Sequence, residues 1–180
     1  MPDSNYFKDY FEHLHNRLQT ANVADFEQAA QLASQAHQQK HKIICVGNGG
    51  SAAMASHVTV DFTKAAGMRA INFNEADLLT CFANDYGYEH WVAKALEFYG
   101  DEGDLVILIS SSGQSPNMLN GAKQAREMGL PLLTLSGFRS DNPLRTMGDV
   151  NLWVDSTAYN IVEMTHHVWL LAIGNYRLLD

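Results

Sequence analysis

The sequence predicts an α/β fold: a doubly wound, mainly parallel sheet flanked by helices, with a helical extension ahead of it. Three observations carry this. From Lys42 onward, short apolar runs alternate with helix-patterned segments. The runs are apolar at nearly every position, as strands buried on both faces are. Two of them break into glycine- and hydroxyl-rich turns just before a helix. These turns are Gly47-Asn48-Gly49-Gly50-Ser51 and Ser110-Ser111-Ser112-Gly113-Gln114-Ser115.

The elements follow in order. Residues from about Asn5 to Lys40 read as helical. Tyr6, Tyr10, Leu14 and Leu18 recur at i+4, and Ala24-Asp25-Phe26 opens a second, Ala- and Gln-rich helix. With Phe7 and Phe11, the first helix carries an apolar face too broad for one sheet to cover. That face packs on the chain's own core or on another subunit. Strand Lys42–Val46 leads to a helix over Ser51–Ala65, and strand Arg69–Phe73 to a short helix over Ala76–Phe82. After Asn84-Asp85-Tyr86-Gly87 comes a helix over Glu89–Tyr99. Strand Leu105–Ile109 leads to a helix over Ser115–Met128, closed by Gly129 at the position past a helix end that favours glycine. Strand Pro131–Leu135 runs into Ser136-Gly137, and Phe138-Arg139-Ser140-Asp141 forms a lip beyond it. Asp141-Asn142-Pro143 is a turn and helix start. Strand Val150–Val154 precedes a last helix over Asn160–Leu178. No repeat or low-complexity tract divides the chain. Residues 1–180 therefore read as one domain, with 1–40 as an oligomerisation segment and 41–180 as the α/β core.

Composition narrows the function. The chain has 180 residues, 46% of them hydrophobic, enough for one substantial core. Twelve Lys and Arg stand against 20 Asp and Glu, a net charge of −8, so no basic face is left for nucleic acid. Such a chain still binds phosphate if hydroxyls and backbone amides do the work. Cys45 and Cys81 lie in apolar runs and read as buried thiols. There is no CxxC pair, and so no sign of a zinc ribbon or redox couple. No apolar run approaches the roughly 20 residues of a membrane span. The opening Met1-Pro2-Asp3-Ser4-Asn5 lacks a signal-peptide pattern, so the chain reads as cytoplasmic, without a membrane partner.

The glycines of the first turn admit backbone N–H groups close to a ligand, and the following helix start adds free donors and a positive dipole end. Gly47-x-Gly49-x-x-Ala52 fits the dinucleotide fingerprint, with Glu75 as its acidic residue. That reading rests on six residues and leaves the serine turn unused. No GxxxxGK[ST] pattern is present. Helix capping would occupy one serine of the second turn. Several together point to one site for a small phosphorylated or polyhydroxylated ligand.

Four ordered motifs carry a resemblance over nearly the whole chain. They are Gly47-Asn48-Gly49-Gly50-Ser51, Asn84-Asp85-Tyr86-Gly87-Tyr88, Ile109-Ser110-Ser111-Ser112-Gly113-Gln114-Ser115 and Leu133-Thr134-Leu135-Ser136-Gly137. Together they resemble the sugar isomerase (SIS) family, and within it the sedoheptulose 7-phosphate (phosphoheptose) isomerases. The resemblance implies a phosphosugar aldose–ketose isomerase of heptose and surface-polysaccharide biosynthesis, acting as a homo-oligomer, a tetramer. It implies that Ser110, Ser112 and Ser115 hold the phosphate, with Ser111 nearby. Asn48 and Ser51 would line the sugar, with Gly49 in the same turn, and Asp85 would accept from sugar hydroxyls.

Isomerisation through an enediol needs a base beside the reacting carbon and a polariser for the oxygens. The family carries a histidine and, four residues on, a glutamate in the first core helix. Here His57 matches and Asp61 shortens the carboxylate by one methylene. The family's glutamine and histidine of the last helix read Val162 and Leu170 here. That helix keeps Glu163 and adds His166 and His167, with Glu163 and His167 at i, i+4. The expectation is a relocated catalytic site of Glu163, Asp61 and His57. His57, Asp61, Glu163 and His167 are donor types that suit zinc, but sequence does not fix their proximity, so the metal stays open. The bland alternatives are charge complementation of a helix start for Glu163, and one surface and one packed histidine for the pair. Loss of the two family positions also admits a non-catalytic phosphosugar sensor or scaffold. Trp91, Trp153 and Trp169 read as core or interface residues.

Overall fold

The computed structural model describes residues 5–176. Two helices, α1 (Tyr6–Leu18) and α2 (Val23–Gln38), precede the sheet. Then come β1 (Ile43–Gly47), α3 (Gly50–Lys64), β2 (Ala70–Asn72), α4 (Ala76–Tyr86) and α5 (Trp91–Tyr99). They are followed by β3 (Leu105–Ser110), α6 (Pro116–Glu127), β4 (Leu132–Ser136), a short 3-10 helix (Pro143–Thr146), β5 (Val150–Trp153) and α7 (Tyr159–Tyr176). All four strand pairings are parallel, in the order β2-β1-β3-β4-β5. The sequence order thus reverses between β1 and β3, the place where ligands bind in sheets of this kind, beyond the carboxyl ends of the strands.

The apolar runs are explained by the two layers they serve. Ile43 and Cys45 of β1 face α2, α3 and α7, while Ile44 and Val46 face α4, α5 and α6. Every residue of β1, β3 and β4 is buried, so no polar alternation is left in their sequence. Helix α2 presents Ala29, Ala33 and Ala36 to the core, which lets its backbone come close. Helix α1 buries none of its side chains fully and leaves Tyr6, Phe7 and Phe11 exposed.

At the amino-terminal edge of the sheet, burial alone would pull the Lys42 ammonium below the usual lysine range. Its hydrogen bonds to Asp101 and Asp104 hold it above that range instead. Asp104 also accepts from the Lys42 backbone N–H at 2.8 Å, which ties β1 to β3. The functional end of the sheet lies opposite.

Several sequence expectations shift. Helix α4 runs on to Tyr86, so Asn84-Asp85-Tyr86 is its last turn, and Gly87 ends it at φ +86°. Cys81 is exposed, which corrects its reading as a buried thiol. Helix α4 turns Leu78, Leu79 and Phe82 to the core, and Cys81 falls on the outward face beside Asp85. Cys45 is buried, and desolvation pushes its thiol up to about 12, where it is inert. Trp91 and Trp169 are core residues, while Trp153 is half-buried under the Arg145 guanidinium at 4.3 Å. The last residues of the expected final helix, past Tyr176, lie outside the described residues.

Candidate functional site

The strand register brings the two turns together. Gly47 stands opposite Ile109 and Ser110 opposite Ser136, so the chain leaves β1, β3 and β4 at one level. Beyond them lies a cavity of about 170 Å³ lined by Asn48, Ser51, Ser110, Ser111, Ser112, Ser115, Ile109, Tyr159 and Glu163. Six of the polar residues expected from sequence therefore meet in one place with Glu163.

The serines do little for the fold itself. Ser115 occupies the N-cap of α6 but makes no capping bond with its side chain. Its Oγ instead lies 3.2 Å from Ser110 Oγ. Ser111 is buried, and its Oγ has no partner. A buried hydroxyl left unpaired costs free energy, and native structures rarely keep one without use. Ser112 Oγ accepts weakly from the Gln114 N–H at 3.2 Å. Gly113 gives the turn its shape. It adopts φ +62°, and a Cβ there would collide with the Asn142 side chain. Asn142 in turn donates to Arg139 O at 2.7 Å and accepts from Arg145 N at 3.1 Å. The expected turn and helix start at Asn142-Pro143 thus braces the serine turn from behind. Among the described residues no Lys or Arg lines the cavity, so an anion there would rest on hydroxyls, amides and the positive end of α6.

Glu163 reaches the cavity because α3 and α7 run side by side. A Cβ placed on Gly50 would lie 2.6 Å from the Glu163 carboxyl carbon, so the carboxylate occupies the space that a side chain at the first position of α3 would take. The positive end of α3 faces it and offsets its charge. Further along the same two helices, the His57 and His167 rings meet edge to face at 4.7 Å. Asp61 Oδ2 lies 3.8 Å from His57 Nε2. Partial burial, then the nearby His57, lowers the His167 pKa, and Asp61 opposes this. His57 is seven residues past Gly50, about 10 Å down the helix axis. Neither it nor Asp61 nor His167 lines the cavity.

The structure therefore separates what the sequence reading joined. Glu163 sits with the serines, whereas His57, Asp61 and His167 form a second group along the α3–α7 groove. Among the described residues, no three His, Cys, Asp or Glu side chains are arranged to hold a metal. Val162 and Leu170 are fully buried in the core and add no donor. The donor set considered for zinc does not fit one ion. Of the other histidines, His166 is the packed one. Its Nε2 donates to Ser136 O at 2.9 Å, and burial pushes its pKa down to about 4.

Two expected site residues stand at the margin. Gly49 is exposed, with φ +54°, and caps α3 without lining the cavity. Asp85 is exposed at the end of α4, where it accepts from the Asn84 amide at 2.9 Å. It is absent from the cavity lining. Sequence reasoning missed Tyr159. It lines the cavity, and its ring meets Phe138 edge to face at 4.8 Å. Its position four residues before Glu163 puts both on one helix face, a spacing that could have found it.

The chain matches the model of the SIS domain over residues 5–137. The phosphoheptose isomerase of Fusobacterium nucleatum is 34% identical over 145 residues, covering 78% of this chain and 74% of that protein. The phosphoheptose isomerase of Helicobacter pylori strain P12 is 35% identical over 146 residues, covering 78% and 76%. Among solved structures, the phosphoheptose isomerase of Neisseria gonorrhoeae superposes with a TM-score of 0.87 at 28% identity, over 97% of this chain and 96% of that one.

Proposed function

This chain belongs to the SIS domain family and, within it, to the phosphoheptose isomerases, and on that premise we propose that it interconverts an aldose phosphate and its ketose phosphate. The observation that carries the reading is the cavity itself. Four serines of one turn and the Glu163 carboxylate line the same 170 Å³. The serine turn and the start of α6 hold the phosphate. Asn48 and Ser51 face the sugar.

Glu163 is the proposed base. It takes the proton from C2 of the open-chain aldose, and the C–H electron pair becomes the C1–C2 double bond of an enediolate. The C1–C2 double-bond pair then takes the proton back at C1, the O2 hydroxyl proton passes to O1, and the electron pair left on O2 forms the new carbonyl at C2. The redox change is internal to the sugar, so no further reactant is needed. His57 and Asp61 lie outside the cavity of their own chain, and no step is assigned to them. Zinc is given no step either, since the donor set does not fit it.

A second reading has one observation in its favour. Val162 and Leu170 are buried apolar residues where the family carries polar ones. A chain that binds a sugar phosphate without turning it over would be a sensor or scaffold. Incubation with sedoheptulose 7-phosphate, with binding and isomerisation read in parallel, separates the two. Turnover by the parent, with loss of about 100-fold in Glu163→Gln, supports the isomerase. Binding with no turnover supports the sensor.

The exposed Tyr6, Phe7 and Phe11 of α1 support self-association, and a homotetramer is the proposed state. The net charge of −8 argues against nucleic acid as a partner. Among the described residues, no helix is long and apolar enough to cross a membrane. The cytoplasm, where sugar phosphates are made, is the proposed location.

A further inference from the structure

Asn48 follows β1 and lines the cavity, yet its amide is held by two residues outside it. Asn48 Nδ2 donates to Asn117 Oδ1 at 3.0 Å, and Asn117 Nδ2 donates back to Asn48 Oδ1 at 2.8 Å. The Tyr88 hydroxyl donates to the same Asn48 Oδ1 at 3.1 Å. Asn117 is only 1% exposed and stands in the first turn of α6, two residues after Ser115.

A buried amide must find partners, and this reciprocal pair supplies them for both residues at once. It also fixes both amide planes, because each bond constrains the other. An amide oxygen offers two lone pairs and an amide nitrogen two hydrogens. Both acceptor places of Asn48 Oδ1 are taken, and one Nδ2 hydrogen is taken. What Asn48 has left for a ligand is one N–H. The pair further ties the turn after β1 to the helix whose start faces the phosphate, across 69 residues of sequence.

We propose, resting on the phosphosugar reading above, that Asn117 and Tyr88 are positioning residues that hold Asn48 as a one-sided hydrogen-bond donor. The site then selects a ligand with an acceptor oxygen at that point, the carbonyl or enediolate oxygen beside the carbon that Glu163 serves. A fixed N–H aimed at an oxygen that gains charge needs no reorganisation during the reaction. Asn117 touches no substrate in this arrangement. It acts through Asn48.

The test uses the full chain with labelled side-chain amides, read by NMR, together with steady-state kinetics. Sedoheptulose 7-phosphate should move one of the two Asn48 Nδ2–H signals, and inorganic phosphate should leave both in place. Tyr88→Phe, at a half-exposed position that keeps the fold, should lower kcat about threefold, and Asn117→Ala about tenfold, as expected for loss of one and of two bonds. Inorganic phosphate should bind both variants as it binds the parent. In both variants the sugar-dependent movement of the Asn48 signal should shrink. If the Asn48 signal moves in the parent while no sugar phosphate turns over, the isomerase reading fails and the positioning role stands. An Asn48 signal that ignores the sugar, or that responds equally in parent and both variants, overturns the proposal.

Discussion

Replacing His166 by glutamine should flatten the loss of stability that the parent suffers in mild acid. His166 is fully buried, and its Nε2 donates to Ser136 O at 2.9 Å. Its Nδ1 has no partner, so protonation there would bury an unpaired charge. Desolvation therefore holds its pKa at about 4, against 6.5 in the unfolded chain, with the bond to Ser136 opposing this. Across that window the unfolded chain binds the proton and the folded chain does not. Stability from this residue is whole above the ordinary histidine range and falls as pH drops towards 4. Between pH 7.5 and 4.5 the loss is about 2–3 kcal/mol, at 1.36 kcal/mol per pH unit. That is a large part of the ~5–15 kcal/mol of a typical domain. Glutamine keeps a donor for Ser136 O and does not titrate. Urea unfolding of parent and His166→Gln at the two pH values reads the difference, because the other titrating groups are common to both. The parent should lose about 2–3 kcal/mol more than the variant on going to pH 4.5. Equal losses would refute the burial argument.

The other consequences concern the phosphate and the assembly. Replacing Ser110 and Ser115 together by alanine should weaken sugar-phosphate binding by roughly 2–4 kcal/mol in a titration, with a smaller change in unfolding free energy. Unchanged affinity would place the phosphate elsewhere. Light scattering should report a multiple of 20.0 kDa for the parent. Phe7→Glu with Phe11→Glu should shift it towards the monomer, since both side chains are exposed on α1. A parent of 20.0 kDa at micromolar concentration would reject the assembly.

What the sequence disclosed, and what it withheld, follows from the range of the interactions. The strands were legible because β1, β3 and β4 are buried on both faces and so are apolar throughout. The serine turn was legible because its hydroxyls exceed what one helix cap can use, and Ser115 indeed caps nothing with its side chain. The facing of helices was not legible. Glu163 and His57 were read as one site from their types. The parallel run of α3 beside α7 instead sets Glu163 against Gly50 and His57 against His167. The exposure of Cys81 is not legible in sequence, because an apolar neighbourhood does not say which face of α4 turns inward. Asn117 gave no signal at all, since its partner is 69 residues away.

The central claim is that Glu163 moves a carbon-bound proton in the serine-lined cavity. The direct measurement is incorporation of solvent deuterium into a bound sugar phosphate, followed by NMR in D2O with sedoheptulose 7-phosphate. Label is expected at the carbon beside the carbonyl with the parent and with Asp61→Asn, and incorporation at least about 100-fold slower with Glu163→Gln. Parent-rate incorporation by Glu163→Gln, or none by a parent that binds the sugar phosphate, would contradict it.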